Sequence, residues 1–394
     1  MKKSFQLLSV AAIAVMGLTS CEDYIVDSGI QPSDENLALG IPEDSQATED
    51  PVITNPNVVL PNAAVNIKEE NGYEFLQIDL TGIWDEDAGD YLTLVGTDNN
   101  GDQNIWLSID DFPKGFDVYN VKDDAGKKLL VDVVFLVDNS GSMSEEANTV
   151  ANSIVAWSQS LINLGLDLNV GCVGYGEGNH AINGALNMTT PASLKAYLER
   201  YSGTSRTKGF GGNDAQTLEN LARTSGRYEN GSDRECGMVA LRYAHDNFNF
   251  RGGANRIYVN FTDESNQPNG ISDWSVEYLN PTLGNWKSNY GTVHTVYSDY
   301  KFNQNDYLRD EQPWLMSEYT GGTTIFVDNY ATDWDLTTLP VTGAMQNSSI
   351  LRTTNHSMFK DGKSHRIKIT VQTPSKSVRA VKTINYNLSS KKEE

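Results

Sequence analysis

The stretch VDVVFLVDNSGSM, residues 131–143, decides the fold of this protein. Its first seven residues form an apolar run with a single Asp, which predicts a strand buried on both faces, as in the centre of a parallel sheet. The run ends at Asp138, and Ser140 and Ser142 follow on a turn of small residues. Oxygen-bearing side chains at the end of a buried strand indicate a ligand-binding loop, because ligands of open α/β sheets bind beyond the carboxyl ends of the strands.

Segments with strand-like and helix-like patterns alternate after this stretch. Apolar residues at Val150, Ile154, Trp157 and Leu161 recur at helical spacing and predict a helix over 145–164. Further strand-like runs cover 166–176, 255–263, 291–298 and 323–328, and further helices are predicted at 190–201, 215–224, 234–247, near 310–320 and near 333–346. Strands that alternate with helices predict an α/β fold with a doubly wound, mostly parallel sheet and helices on both faces.

Both flanks of this α/β unit carry short segments in which polar and apolar residues alternate. Between residues 58 and 121 these are AAVNI, EFLQIDL, YLTLVG, NIWLSI and FDVYNV, and after residue 347 they are SHRIKITVQTP and AVKTINYNL. Such alternation between turn residues predicts antiparallel strands. The last two cannot extend a parallel sheet through a short connection, but they can complete the β-domain begun upstream. We therefore predict that the α/β unit is inserted into an all-β, sandwich-like domain formed by both flanks.

The N-terminus has the layout of a targeting segment. A Lys pair precedes an apolar stretch, residues 5–17, that is too short to span a bilayer. The following Leu18-Thr19-Ser20-Cys21 resembles a bacterial lipobox, which implies a lipid on Cys21. The alternative is an ordinary signal peptide with a Cys present by chance. The Glu-Asp pair after Cys21 resembles the export signal of Bacteroidota lipoproteins, which implies an outer-membrane lipoprotein of the cell envelope that can be displayed at the surface. The lipid is the only membrane attachment that we expect.

Composition and charge divide the rest of the chain. There are 52 Asp and Glu against 30 Lys and Arg, a net charge of −22, which disfavours nucleic acid as a partner because that affinity depends on basic residues that neutralise phosphates. Residues 22–57 are rich in Pro, Ser, Asp and Glu, which predicts a solvated acidic tether. The predicted organisation is a signal peptide (1–21), the tether (22–57), the first part of the β-domain (58–128), the α/β domain (129–346) and the second part of the β-domain (347–394).

Polar side chains on three loops are predicted to lie over one edge of the sheet. Asp138, Ser140 and Ser142 end the first strand of the α/β unit, and Asp263 ends the other strongly apolar strand. The loop Gly211-Gly212-Asn213-Asp214 precedes a predicted helix and would be the third. Hard oxygen ligands without His or Cys suit Mg²⁺, Mn²⁺ or Ca²⁺ better than zinc. The residues therefore predict one divalent-cation site, with Mg²⁺ as the first candidate.

This pattern resembles the metal-ion-dependent adhesion site of von Willebrand factor type A domains. The resemblance covers residues 129–346 and rests on the Asp-x-Ser-x-Ser turn, the second Asp and the order of the elements, including YTGGTTIFVD. It implies that Asp138, Ser140 and Ser142 ligate the ion directly or through water. It also implies that Asp263 contacts the ion or orients a water.

One position departs from the family. A Thr usually follows the Gly pair of the middle loop, whereas Asn213 stands there in this chain, with Asp214 next and Thr217 further along. We predict Asp214 as the substitute ligand, because a carboxylate binds a hard cation better than an amide does.

The resemblance implies binding, not catalysis. An ion that keeps an open coordination position can accept a carboxylate from a protein or glycan ligand, even though the chain is itself acidic. The alternatives are a scaffold subunit whose site serves a fixed partner, a metal kept for stability, and a turn without metal. An enzyme is not expected, because the sequence lacks the His-rich, nucleophile and phosphate-loop motifs and only Asp214, Asp263 or Glu264 could act as a base.

Two cysteines remain after Cys21. Cys172 lies in a strand-like run and Cys236 at the start of a predicted helix. A disulfide and two separate core thiols both fit the sequence, and the core interpretation is favoured.

Overall fold

A computed structural model describes residues 34–98, 101–121, 129–176, 180–224, 227–228, 235–298, 311–328, 336, 340–354 and 361–387. Cys21 and the whole targeting segment lie outside these residues. Within the described part, no helix is both long enough and apolar enough to cross a membrane.

The described part of the N-terminal flank contains one short α-helix, a 3-10 helix at Asp44–Gln46 and seven strands. The α-helix and the strands are labelled as follows. In chain order these are α1 (Asp34–Leu39), β1 (Ala63–Glu70), β2 (Tyr73–Leu80), β3 (Trp84–Asp85), β4 (Asp90–Tyr91), β5 (Ile105–Ile109), β6 (Phe112–Pro113) and β7 (Asp117–Asn120). Four of the five predicted runs are strands over most of their length. The fifth, YLTLVG, contributes only Tyr91 to β4.

The middle of the chain alternates strands and helices, as its sequence predicts. The elements are β8 (Leu130–Asp138), α2 (Ala147–Asn163), β9 (Asp167–Tyr175), β10 (Ile182–Thr189), α3 (Pro191–Leu198), β11 (Gly209–Gly211), α4 (Ala215–Thr224), α5 (Gly237–Asn247), β12 (Asn255–Thr262), β13 (Thr292–Ser298), α6 (Leu315–Thr320), β14 (Thr324–Val327) and α7 (Pro340–Gln346). The C-terminal flank adds β15 (Ser349–Thr353), β16 (Ser364–Gln372) and β17 (Arg379–Asn387).

The middle elements build one seven-stranded sheet in the order β11-β10-β9-β8-β12-β13-β14. Every pair in it is parallel except β9 with β10. The prediction of a mixed α/β fold with a mostly parallel sheet is therefore confirmed. β10 and β11 were not predicted, because β10 is interrupted by polar residues and Gly and β11 has only three residues.

Helices cover both faces of this sheet because β8 is apolar on both. Val133 and Phe135 point to the face that carries α2, where Trp157 meets Phe135 edge to face at 5.7 Å between ring centroids. Val134 and Leu136 point to the opposite face, where α5 packs. The two cysteines are free, buried and divided between these faces, so they are core residues.

The two flanks pair with each other. β15 lies between β2 and β7 in one antiparallel sheet, and β16 pairs with β5 in another. The two sheets share an apolar core that includes Leu76 and Ile78 of β2, Leu107 of β5, Leu351 of β15 and Ile369 of β16. We call these paired flanks the β unit and the seven-stranded part the α/β unit.

The segment before β1 differs from a solvated tether. Leu39 and Ile41 are buried with Phe75 of β2, and Asp44 forms an ion pair with the buried Lys114. Two apolar residues and one ion pair thus fold residues 34–46 onto the β unit, although the composition of the segment is mostly polar.

Arg352 of β15 joins three parts of the β unit. Its side chain is 2% exposed, and its guanidinium donates to Asp117 Oδ2 of β7 at 2.6 Å and to Glu70 Oε2 of β1 at 3.0 Å. It also donates to the Leu39 carbonyl oxygen at 3.0 Å, which holds α1 in place. A buried charge requires such complete pairing, because an unpaired ion in the interior is costly.

Replacing this arginine should therefore destabilise the β unit. We expect Arg352→Met to lower the free energy of unfolding by about 3 kcal/mol, because it leaves the carboxylates of Asp117 and Glu70 without their positively charged partner. Arg366→Met is the matched control, because the half-exposed Arg366 of β16 pairs with the exposed Asp111 and should matter little. Urea unfolding of both variants measures the difference, and equal losses would contradict the role given to Arg352.

Candidate functional site

Three carboxylates from three loops meet at the carboxyl edge of the seven-stranded sheet. Asp138 ends β8, Asp263 follows β12, and Glu235 precedes α5. One oxygen of each lies within 4.8 Å of one oxygen of the others. β8 and β12 are parallel neighbours, so their carboxyl ends must lie side by side. We call this group the carboxylate cluster.

Hydrogen bonds join the Asp-x-Ser-x-Ser turn to the cluster. Asp138 is 1% exposed, and its Oδ1 accepts from the Ser140 backbone N–H at 2.9 Å. Its Oδ2 accepts from the Thr262 hydroxyl at 3.0 Å. Ser140 and Ser142 share a hydrogen bond between their hydroxyls at 2.9 Å, and the Ser142 hydroxyl donates to Asp263 Oδ1 at 3.2 Å. The structure thus brings together four of the five residues that the sequence singled out.

Asn139 fixes the turn to the neighbouring strands. It is 1% exposed, its backbone N–H donates to the Tyr175 carbonyl oxygen at 2.9 Å, and its Nδ2 donates to Asn183 Oδ1 at 2.7 Å and Thr207 Oγ1 at 3.2 Å. Because the residue between the two ligand positions is locked into the core, the hydroxyls of the turn have little freedom to leave the cluster.

Gly176 makes room for the carboxylates. Its φ of +97° is unfavourable for other residues, and a Cβ there would lie 2.5 Å from Asp138 Oδ1 and 3.2 Å from Glu235 Cγ. The glycine after β9 is therefore required by the close approach of two acidic side chains.

Asp214 lies elsewhere, in contrast to its predicted role. Its carboxylate accepts from Asn187 Nδ2 of β10 at 2.7 Å, and it lines a separate cleft of about 540 Å³ with Tyr197 and Arg200. The reason is the sheet order. Asp214 follows β11, and β10 and β9 both lie between β11 and β8. Asn213 lines the same cleft and Thr217 is exposed on α4.

Glu235 is the acidic residue that sequence reasoning missed. It stands in a segment without apolar periodicity, and its only signal is that a predicted helix begins beside it. Its Oε2 is buried and has no hydrogen-bond partner among the described residues. Glu146, at the start of α2, is similar: Oε1 accepts from the Ser298 hydroxyl at 2.9 Å, and the buried Oε2 lacks a partner in the described part of the chain.

The carboxylate cluster holds acidic groups close together in a largely buried site, which raises the pKa values of Asp138 and Glu235. Burial and, next, the neighbouring charge of Asp263 together raise the pKa of Asp138 to about 7, against hydrogen bonds from Ser140 and Thr262 that lower it. Burial raises the pKa of Glu235 to about 9, with added repulsion from Asp138, Glu264 and Asp263. A positive charge within the cluster would relieve both effects.

The donor set fits a hard divalent cation. Three carboxylates and two hydroxyls offer only oxygen, as Mg²⁺, Mn²⁺ and Ca²⁺ prefer. The Oε2 of Glu235, which is buried and has no partner within the described residues, is the observation that most directly supports an ion, because buried polar atoms normally have a partner.

Comparisons with known proteins do not add to this picture. No protein-family model matches the chain, and no curated protein matches it. The conserved hypothetical protein BatB of Bacteroides thetaiotaomicron is 17% identical with a TM-score of 0.30, over 50% of this chain and 91% of that one. The pilus adhesin SpaC of Lactobacillus rhamnosus GG is 10% identical with a TM-score of 0.32, over 82% of this chain and 55% of that one. The human COPII-coat protein Sec24c is 10% identical with a TM-score of 0.29, over 71% of this chain and 46% of that one. Likeness at this level carries no argument about function.

The raised pKa values predict how stability depends on pH without metal. Unfolded Asp138 and Glu235 lose their protons near pH 4, whereas the folded chain keeps them up to about 7 and about 9. The folded state therefore binds more protons between these limits, and stability falls as pH rises. We expect the melting temperature in EDTA to drop from pH 5 to pH 8, and Asp263→Asn to make the drop smaller.

Thermal unfolding followed by circular dichroism measures this dependence. Glu69→Gln, on an exposed position of β1, removes the same charge far from the cluster and should keep the wild-type slope. An equal slope for both variants would contradict the assignment to the cluster.

Proposed function

We propose that this protein binds one divalent cation, Mg²⁺ first, at the carboxylate cluster, and that the ion serves to bind an acidic group of a protein or glycan ligand. The observation that carries the proposal is the convergence of three carboxylates within 4.8 Å, one of them with a buried oxygen that lacks a partner among the described residues. Placing like charges together costs stability unless a cation offsets them.

Each residue has a defined part in this proposal. Asp138, Asp263 and Glu235 supply charge, and the hydroxyls of Ser140 and Ser142 supply neutral oxygen. Glu235 replaces Asp214 as the third acidic ligand, because Asp214 is bound to Asn187. When bound, the ion would supply a positive centre with room for one further carboxylate.

A bound cation would also offset the repulsion between this acidic protein and an acidic ligand. The chain carries a net charge of −22, so an acidic ligand would be repelled by the protein as a whole. A local positive centre at the edge of the sheet gives such a ligand one place to bind. This favours recognition of a carboxylate over recognition of a basic group at this edge.

We further propose that the α/β unit is a von Willebrand factor A-type domain inserted into the β unit. The Asp-x-Ser-x-Ser turn at the end of β8, Asp263 after β12 and the pairing of the two flanks support this architecture. With a lipid on Cys21, the chain would be an anchored outer-membrane lipoprotein that presents the domain for adhesion.

Metal binding gives the direct test. Calorimetric titration of Mg²⁺, Mn²⁺ and Ca²⁺ into metal-stripped residues 22–394 should show one saturable site. Asp138→Ala should abolish it, and Glu235→Gln should weaken it by about tenfold or more, a loss typical of removing one ligand group. Asp214→Asn is the matched control and should bind as the wild type does.

The same experiment can reject the proposal. Loss of binding in Asp214→Asn with retention in Glu235→Gln would restore Asp214 as the ligand. The absence of any saturable site in a folded wild-type chain would exclude a metal site that forms without a partner.

A further inference from the structure

A second candidate site lies at the other end of the α/β unit. A cleft of about 590 Å³ opens between the β3–β4 hairpin, residues 57–61 and the turn that joins α6 to β14. His294, near the start of β13, also lines it. A cleft of this size accommodates a small molecule or a few residues of a peptide.

His294 leaves a buried donor without an acceptor. The residue is 3% exposed, and its Nδ1 accepts from the Thr323 backbone N–H at 3.1 Å. The proton of the neutral ring is therefore on Nε2, which is buried and has no hydrogen-bond partner in the described part of the chain. Burial lowers the pKa of His294 to about 3, so the ring stays neutral at physiological pH. Such a donor calls for an acceptor.

An aromatic pair forms one wall of the cleft. Trp84 is 39% exposed and meets Tyr91 edge to face at 5.0 Å between ring centroids. The Tyr91 ring is seated on two glycines, since a Cβ at Gly82 would lie 2.8 Å from the ring and one at Gly343 would lie 2.4 Å from it. The wall is thus fixed by close packing while the indole stays accessible.

The rim of the cleft is acidic. Glu86, Asp87 and Glu318 line it, and no Lys or Arg is among the described residues that do. The hairpin that carries the first two is anchored, because Asp85 accepts from the Ser377 hydroxyl at 2.6 Å. An exposed indole beside carboxylates is the arrangement that attracts an organic cation.

We propose that this cleft binds a Lys or Arg side chain within a peptide segment of a partner protein. The cation lies against Trp84 among the rim carboxylates. On binding, a peptide carbonyl enters the cleft and accepts from His294 Nε2, which is covered in the ligand-free chain. A free metal ion would satisfy the carboxylates but not the histidine donor, and an apolar ligand would satisfy neither. The site does not depend on the metal-binding function proposed above, because none of its residues belongs to the carboxylate cluster.

The test uses a minimal basic peptide. Ac-Gly-Lys-Gly-NH₂ is titrated into ¹⁵N-labelled residues 22–394, with Ac-Gly-norleucine-Gly-NH₂ as the matched neutral probe. We expect the lysine peptide to shift the Trp84 indole N–H saturably, with a Kd of roughly 1 mM as suits one charged contact. The norleucine peptide should bind at least about tenfold more weakly.

Variants connect binding to the cleft. Trp84→Ala and Glu318→Gln change exposed side chains, so folding should be preserved, and each should weaken binding about fivefold or more. For Trp84→Ala, whose indole is removed, binding is followed at the backbone N–H groups of the cleft residues Thr323 and Glu86. His294→Phe tests the carbonyl contact and should also weaken binding. Asp138→Ala serves as control and should leave it unchanged, which separates this site from the carboxylate cluster.

Three outcomes would overturn the proposal. Equal affinity for the two peptides would show that the positive charge of lysine does not contribute to binding. Unchanged affinity in Trp84→Ala would move binding away from the cleft. Loss of binding in Asp138→Ala alone would assign the lysine to the carboxylate cluster.

Discussion

Asp138 and Asp263 lie together because β8 and β12 are parallel neighbours in register, with Val137 opposite Phe261. The pairing runs without a shift from Asn255 opposite Val131 to Phe261 opposite Val137, and sliding either strand would disrupt the close packing of side chains on both faces. The register therefore places two carboxylates at one edge before any ligand is considered. The turn after β8, the glycine after β9 and Glu235 before α5 are built around that fixed pair.

The rest of the structure offsets the free-energy cost of placing these carboxylates together. Two buried acids with raised pKa values destabilise a metal-free chain at neutral pH. The surrounding structure stabilises the fold through the apolar helices on both faces of the sheet, the hydrogen-bonded Asn139 and the separate core of the β unit. A cluster that is unfavourable by itself and firmly supported by its neighbours is typical of a functional site.

Local sequence was sufficient for some features and insufficient for others. Asp138 and Asp263 could be found because each comes at the end of a strongly apolar strand, and Ser140 and Ser142 could be found because they lie on the turn after Asp138. Glu235 could not, since its proximity to the cluster depends on where a loop without periodicity is folded. Asp214 was assigned to the cluster because the sequence does not reveal β10 and β11, which carry the loop to the far edge of the sheet. Leu39 and Ile41 were too few to reveal the folding of the segment before β1.

The connection between the two units determines which edge of the seven-stranded sheet faces the β unit. The chain leaves the β unit after β7 and returns through β15, and these strands are paired with Asn120 opposite Ser349. Entry and exit of the α/β unit are therefore adjacent.

Hydrogen bonds between the two units lie at the amino edge of the seven-stranded sheet. The Asn62 backbone N–H donates to Thr292 Oγ1 at 3.0 Å, and Asn66 Nδ2 donates to the Gly253 carbonyl oxygen at 3.0 Å, both at the amino ends of β13 and β12. The β unit thus holds the α/β unit by its amino edge. The carboxylate cluster lies at the carboxyl edge, the opposite edge of the sheet from these contacts.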